Sequence, residues 1–266
     1  MKEITVNDLI NELLSQKDRK EKGSIYHYTQ VNFAYNSNKI EGSKLTEDQT
    51  EEIFDTNSYF PVNKDYVKLD DLNEMKNHFR LFDYMLENYD KPLTKEMMIE
   101  MNVILKRNTT YETDPRYNVG GFKVRENIIT TSVKNYEIAK PNEVEKRIEK
   151  LLTDYNNKNN IKTEDIIDFH YNFEIIHPFG DGNGRIGRMI MFKECLKNNL
   201  MPFIVYDIHR PYYMRGLREY PKEKGFLNDT LLREQDEYAK AVNKYLKVYS
   251  NVEGVLSDLE EIDEKN

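Results

Sequence analysis

Apolar positions in this chain recur three and four residues apart, the spacing of one helix face, far more than they alternate. Leu9, Ile10, Leu13 and Leu14 open the series. After Gly23 and Ser24, Tyr26, Tyr28, Phe33 and Tyr35 predict a second helix, ending at Glu41-Gly42, where glycine suits a C-terminal cap. Thr46, with Gln49 three residues later and acids between, is a capping signature for a third. Residues 67–88 carry the stripe Met75, Phe79, Phe82 and Met85, and Thr94 caps a helix that runs to about Leu105. Pro141 opens another, reaching about Asn156. Thr163 to Asp165 cap the next, whose face is Ile166, Ile167, Phe169, Phe173 and Ile176. That helix must stop at His177, because the residue before Pro178 is pushed out of the helical region. A new helix is expected near Arg185, and others over residues 213–220 and 231–248, before an acidic tail from Asp258 that should fray.

One stretch departs from this rhythm. Residues 111–141 hold Pro115, Gly120, Gly121 and the β-branched run Ile128 to Thr131, which predicts a loop with a short hairpin. The expectation is a mostly α fold with a small β-hairpin, in one domain without internal repeats. It divides into an N-terminal helical region (1–66), a core (67–220), and a C-terminal helix with its tail (221–266) packed on the same domain.

Composition narrows the function classes. The 266 residues are 38% hydrophobic and 32% charged, enough for a core under a strongly solvated surface. The net charge of -8 argues against nucleic acid as a partner, since phosphate backbones call for basic surface. The one cysteine, Cys195, lies in an apolar run and reads as a small buried hydrophobe. No signal core and no membrane-spanning run stand out, so a cytoplasmic protein without membrane contact is expected.

The chemistry concentrates in residues 177–188, His-Pro-Phe-Gly-Asp-Gly-Asn-Gly-Arg-Ile-Gly-Arg. Gly180, Gly182 and Gly184 let the backbone turn sharply and approach a ligand. Successive amides in such a turn form an anion cradle, and the helix that follows adds its positive end. Arg185 and Arg188 share a helix face and can fork onto neighbouring phosphate oxygens. Asp181, an acid in a basic pocket, suits a divalent cation, Mg²⁺ above all. Asn183 either donates to a phosphate or fixes the turn. His177 titrates near neutrality and is the natural general base. A Walker A loop is excluded, because Arg185-Ile186 stands where Lys and Ser or Thr belong. An EF-hand fails because its twelfth position would be Phe192. A purely structural turn would leave both arginines and the acid unexplained.

The string resembles the signature of the Fic family, His-x-Phe-x-Asp/Glu-Gly-Asn-Gly-Arg-x-x-Arg, and matches every fixed position. The resemblance implies a Fic-type helical core and transfer of AMP from ATP to a Ser, Thr or Tyr hydroxyl of a protein. It implies that His177 deprotonates that hydroxyl, Phe179 anchors the loop, and Asp181 binds Mg²⁺. Gly182, Asn183, Gly184 and Arg185 would hold the α- and β-phosphates, and Arg188 the γ-phosphate. The intact Gly184-Arg185 pair favours AMP over phosphate as the transferred group.

Upstream, Ser37-Asn38-Lys39-Ile40-Glu41-Gly42 reads on its own as an ordinary helix end. It resembles the family's inhibitory motif, Ser/Thr-x-x-x-Glu-Gly/Asn, in the N-terminal arrangement called class II. Ser37 and Glu41 share a helix face, and Glu41 is expected to pair with Arg188 and block productive ATP binding. Residues 127–140 fall where the family carries a flap that adds a strand to its target, with Ile129, Thr130 and Thr131 as the candidate strand. Residues 210–217 resemble the helix beside the adenine, with Tyr213 and Leu217 on one face; core packing explains the same pattern. His170 and His209 read as structural. The expected function is an autoinhibited protein adenylyltransferase using ATP and Mg²⁺, with self-modification of a tyrosine and self-association left open. The alternatives are a Fic-fold module that holds ATP without turnover, transfer of phosphate or UMP, and removal of AMP through the same loop.

Overall fold

The computed structural model describes residues 4–61, 66–127 and 138–263, with side chains as far as residue 247. Among these, eleven α-helices follow one another: α1 (Val6–Arg19), α2 (Ile25–Ile40), α3 (Glu47–Thr56), α4 (Leu69–Glu87), α5 (Lys95–Lys106), α6 (Thr110–Thr113), α7 (Pro141–Asn156), α8 (Thr163–Ile176), α9 (Asn183–Lys197), α10 (Arg210–Glu219) and α11 (Gly225–Asp263). The architecture is the mostly helical one that the periodicity predicts. The expected hairpin is not seen among the described residues. After Tyr111 the chain forms the end of α6 and then turns, and Ile129, Thr130 and Thr131 lie outside the described residues.

Helix starts follow local chemistry. Thr5 with Asp8 and Thr46 with Gln49 form reciprocal capping boxes, and the Ser24 and Thr94 hydroxyls accept from the third amide onward. At α8 the cap is one residue earlier than expected: the Asp165 carboxylate accepts from Lys162 N at 3.0 Å, and Thr163 is already helical. At the end of α2, Gly42 takes φ +98° and its amide donates to Lys39 O at 2.9 Å, the left-handed glycine termination. α11 continues to Asp263, past the point where the pattern predicts fraying.

The core is organised around α9, in which Asn183 and every residue from Arg185 to Leu196 are buried and none is exposed. A helix buried on all sides must be covered on all sides. It packs against α8, α2, α4 and α5. α7 lies on α8, while α11 packs against α10, α8 and α2. Phe33, Phe82, Phe192 and Tyr238 interlock where these helices meet. Cys195 is buried there as a free thiol. The first turn of α9, where the loop 177–182 enters it, is therefore pinned to the rigid centre of the molecule. No described helix is long and apolar enough to cross a membrane.

Candidate active site

α8 ends because His177 leaves the helix. Its φ of 49° and ψ of 62° place a non-glycine residue in the left-handed region, while its amide still donates to Phe173 O at 2.8 Å. Such a conformation costs on the order of 1–3 kcal/mol and persists only where surroundings impose it. Here they do: Phe179 is fully buried, and the Asn183 side chain spans the turn, accepting from Phe179 N at 2.8 Å and donating to Phe179 O at 2.9 Å. Both ends of the Asn183 amide are thus spent on fixing the loop. Lys123 N donates to Pro178 O at 2.8 Å, and Asn127 donates to Phe179 O and Gly180 O at 3.0 and 3.1 Å. Gly182 takes φ +88° as the cap of α9, two residues earlier than the sequence pattern suggests, and its carbonyl accepts from Ile186 N.

Four charged groups close a ring below this loop. Asp181 pairs with Lys106 and, at 3.2 Å, with Arg185; Glu74 pairs with the same two cations. Asn38 Oδ1 accepts from Arg185 Nη1 at 3.1 Å, and Asn102 donates to Asp181 O at 3.1 Å. Burial pushes the Asp181 carboxyl up, but Lys106 and Arg185 outweigh it and hold the group below its ordinary value.

Arg188, one turn along α9, is held by the end of α2. Its Nε donates to Ser37 Oγ at 3.0 Å, and Nη2 donates to Ser37 O at 2.9 Å and Glu41 Oε1 at 2.7 Å. Gly184 is what admits Glu41 so closely, since a Cβ there would collide with the Glu41 carboxylate. Burial again acts to raise the Glu41 carboxyl, and the two arginines, Arg188 first, keep it lowered and ionised.

Two cavities flank the loop. One, about 370 Å³, is lined by His177, Asp181, Arg116 and Arg125 among others. The second, about 270 Å³, is lined by Glu41, Asp181, Arg185 and Glu74 among others. Asp181 and Tyr111 line both. Burial, with Lys123 adding to it, lowers the His177 imidazole to about 4, so it is neutral and able to accept a proton around pH 7. Asp181 fits a cation held partly by a ligand: its side chain is 39% exposed and faces both cavities. No cluster of three or more His, Cys, Asp or Glu able to hold a metal occurs among the described residues. Mg²⁺ suits that shortage, since it is commonly bound by one or two carboxylates together with substrate phosphates.

Tyr213 and Leu217 share a buried face of α10. Tyr213 is 1% exposed, with its hydroxyl 2.7 Å from His170 Nε2 and its ring beneath the Arg188 guanidinium. Leu217 is also buried, and the open tyrosine face on α10 belongs to Tyr212. His209 pairs with Glu234 at 2.7 Å. Sequence reasoning passed over Lys106, Glu74 and Glu174. Glu74 sits on the stripe that continues through His78, Leu81 and Met85, and Lys106 ends the buried face of Met98, Met101, Asn102 and Leu105. A charge at an apolar-face position is the signal that could have found both. Glu174 lies one turn before His177; burial raises its carboxyl to about 8 against the pull of Arg188, and its Oε1 has no hydrogen-bond partner.

Residues 92–195 match the model of the Fic/DOC family. A probable protein adenylyltransferase of Aquifex aeolicus (strain VF5) is 33% identical over 127 residues, a match covering 38% of this chain and 39% of that protein. A Fic domain containing signaling protein from Bacteroides thetaiotaomicron has a TM-score of 0.66 at 22% identity, over 89% of this chain and 92% of that one. Fic-1 from C. elegans gives 0.66 at 19% identity, over 93% and 71%. At these identities the solved structures speak for the fold.

Proposed function

We propose that this chain, whose residues 92–195 match the Fic/DOC family model, is a protein adenylyltransferase whose resting state is held off by Glu41. The observation that carries this reading is the cavity that His177, at the end of α8, and Asp181 line together, beside the amino end of α9. His177 takes the proton of a protein hydroxyl. The hydroxyl oxygen bonds to the α-phosphorus of ATP, the bond from that phosphorus to the bridging oxygen breaks, and pyrophosphate leaves with its charge. The amides of the first turn of α9 and the guanidinium groups of Arg185 and Arg188 stabilise that charge. Mg²⁺ held by Asp181 would neutralise phosphate charge.

Glu41 is the brake in this reading. Its carboxylate occupies Nη2 of Arg188, the group that a γ-phosphate would otherwise engage. ATP deprived of that anchor sits with its α-phosphate out of line, and a displacement of about 1 Å costs on the order of 100-fold in rate.

The experiment uses full-length Glu41→Gly with ATP labelled at either the α- or the γ-phosphorus. Label from the α position should appear on protein about 100-fold faster than with wild type, given that cost of misalignment. His177→Ala should abolish it. Transfer of γ label would assign phosphate transfer instead, and no label from either position would leave a nucleotide-binding module. Equal incorporation by wild type and Glu41→Gly would remove the brake from the proposal.

A further inference from the structure

Lys106 plays no part in the reaction above, yet its ammonium is buried and held by two carboxylates and a ring. It ends α5 with its side chain 1% exposed. Its ammonium meets the carboxylates of Glu74 and Asp181 and lies 4.2 Å from the centroid of the Tyr111 ring. The stem runs beneath the loop, where a Cβ on Gly182 would come 3.4 Å from Lys106 Cε. The two cations on Asp181 bond to the same oxygen, Oδ2: Lys106 at hydrogen-bond range and Arg185 Nη2 at 3.2 Å.

We propose that Lys106 is a resident cation that competes with the divalent ion for Asp181 and thereby sets how tightly the ion binds. The proposal rests on the reading of Asp181 as the metal-binding residue. Mg²⁺ binds carboxylate oxygen at roughly 2.0–2.1 Å and draws charge from the whole group. An ammonium on the same carboxylate repels the ion and offers it a weakened donor. Removing the lysine outright would strand nothing, because Glu74 keeps its pairing with Arg185.

Glu74 makes the competition reversible. A buried ammonium cannot give up its only anion without severe cost, because nothing replaces the lost solvation. Lys106 has a second anion in Glu74 and a third contact in the Tyr111 ring, so it can release Asp181 and stay paired. The loop thus keeps a balanced charge when no nucleotide is bound, and Asp181 is relieved of the ammonium when ATP arrives with its own cation.

The test titrates Mn²⁺ into the full-length, nucleotide-free protein and follows the signal of free Mn²⁺ by electron paramagnetic resonance. Lys106→Met keeps the stem and removes the charge. It should bind Mn²⁺ on the order of 10-fold or more tighter than wild type, the size of effect that groups surrounding a metal ligand exert. Adding Asp181→Asn should erase the gain. Glu74→Gln keeps the lysine but removes one of its anions, so Mn²⁺ should bind more weakly than in wild type; this variant decides the matter if Lys106→Met does not fold. Equal or weaker binding by folded Lys106→Met, or tighter binding by Glu74→Gln, overturns the proposal. Those outcomes leave the adenylyltransferase reading untouched if binding still depends on Asp181. Binding indifferent to Asp181 in every variant removes the metal role of Asp181 and this proposal with it. Tighter Mn²⁺ binding without any AMP transfer leaves the competition standing alone.

Discussion

Arg185 and Arg188 stand three residues apart on one helix, in the same motif, and are 4% and 2% exposed. Their neighbourhoods are of opposite kinds. Arg185 is locked from the inside: Glu74 comes from the middle of the long helix α4 and is itself nearly buried, and Asp181 comes from the same loop. Arg188 is held from the edge. Its carboxylate, Glu41, caps the last turn of α2, is followed by a left-handed glycine, and has 36% of its side chain exposed. Two cations of one type on one helix face are thus paired with a buried anion and with a partly exposed one respectively, and what separates them is where their anions are anchored. A site needs both kinds if it must keep its shape while changing its state.

The widest separation between the two should appear in stability. Glu74→Ala leaves Arg185 and Lys106 sharing Asp181 in a buried pocket, and breaking a buried ion pair from one side costs about 3–5 kcal/mol. Glu41→Gly leaves Arg188 both of its hydrogen bonds to Ser37 and vacates the place of a carboxylate that is 36% exposed, so water can reach the guanidinium and the loss should be clearly smaller than for Glu74→Ala. Urea unfolding of the two variants reads the difference directly. Similar losses in both would mean that Glu41 is a structural residue and that the comparison is false.

Much of this contrast was legible before any coordinates. The spacing of residues 177–188 placed a base, an acid and two arginines around one turn, and the four-residue separation of Ser37 and Glu41 put them on one face. Those features are local, so chain order alone reveals them. The inner lock was not legible as a set, because Glu74, Lys106 and Arg185 meet only when α4 and α5 pack on α9. Each of the first two leaves a weak trace, a charge on an apolar stripe, but the stripe cannot say which partner neutralises it. Tyr213 shows the same limit in reverse. Its spacing with Leu217 fits a base-binding face as well as core packing, and only burial against His170 and Arg188 tells where the side chain lies. The start of α9 at Asn183 depends on the left-handed Gly182, which helical periodicity cannot register.

The Arg188 side carries a further asymmetry. Glu174 faces the Arg188 and Glu41 charges with a carboxyl raised from 4.5 to about 8, whereas the carboxyl of Asp181 is lowered. A raised folded value means that the protonated form is the stable one. The contribution of Glu174 is fully present below pH 4.5 and is lost as pH rises through about 8. Across that window wild type should lose stability with rising pH, at up to about 1.4 kcal/mol per unit for this one group. Glu174→Gln, which mimics the protonated carboxyl, should flatten that slope in thermal melts recorded between pH 5 and 8. An unchanged slope would show that the carboxyl is ionised throughout.

The finest division lies within the hold on Arg188 itself. Ser37 Oγ accepts from Nε, and that bond turns the guanidinium so that Nη2 faces Glu41. Ser37→Ala removes one hydrogen bond and keeps the backbone carbonyl contact, a net change of about 1 kcal/mol. If the bond serves the hold, the variant should transfer AMP up to about fivefold faster than wild type, the rate equivalent of that energy. The same change in a Glu41→Gly background separates two meanings of the contact. There the carboxylate is gone, so a bond that only strengthens the hold has nothing left to strengthen, and Ser37→Ala should add no rate. A clear loss in that background would mean that Ser37 aims Arg188 at the γ-phosphate. The serine would then belong to the productive state as much as to the resting one, and the edge anchor of Arg188 would be less releasable than its exposure implies.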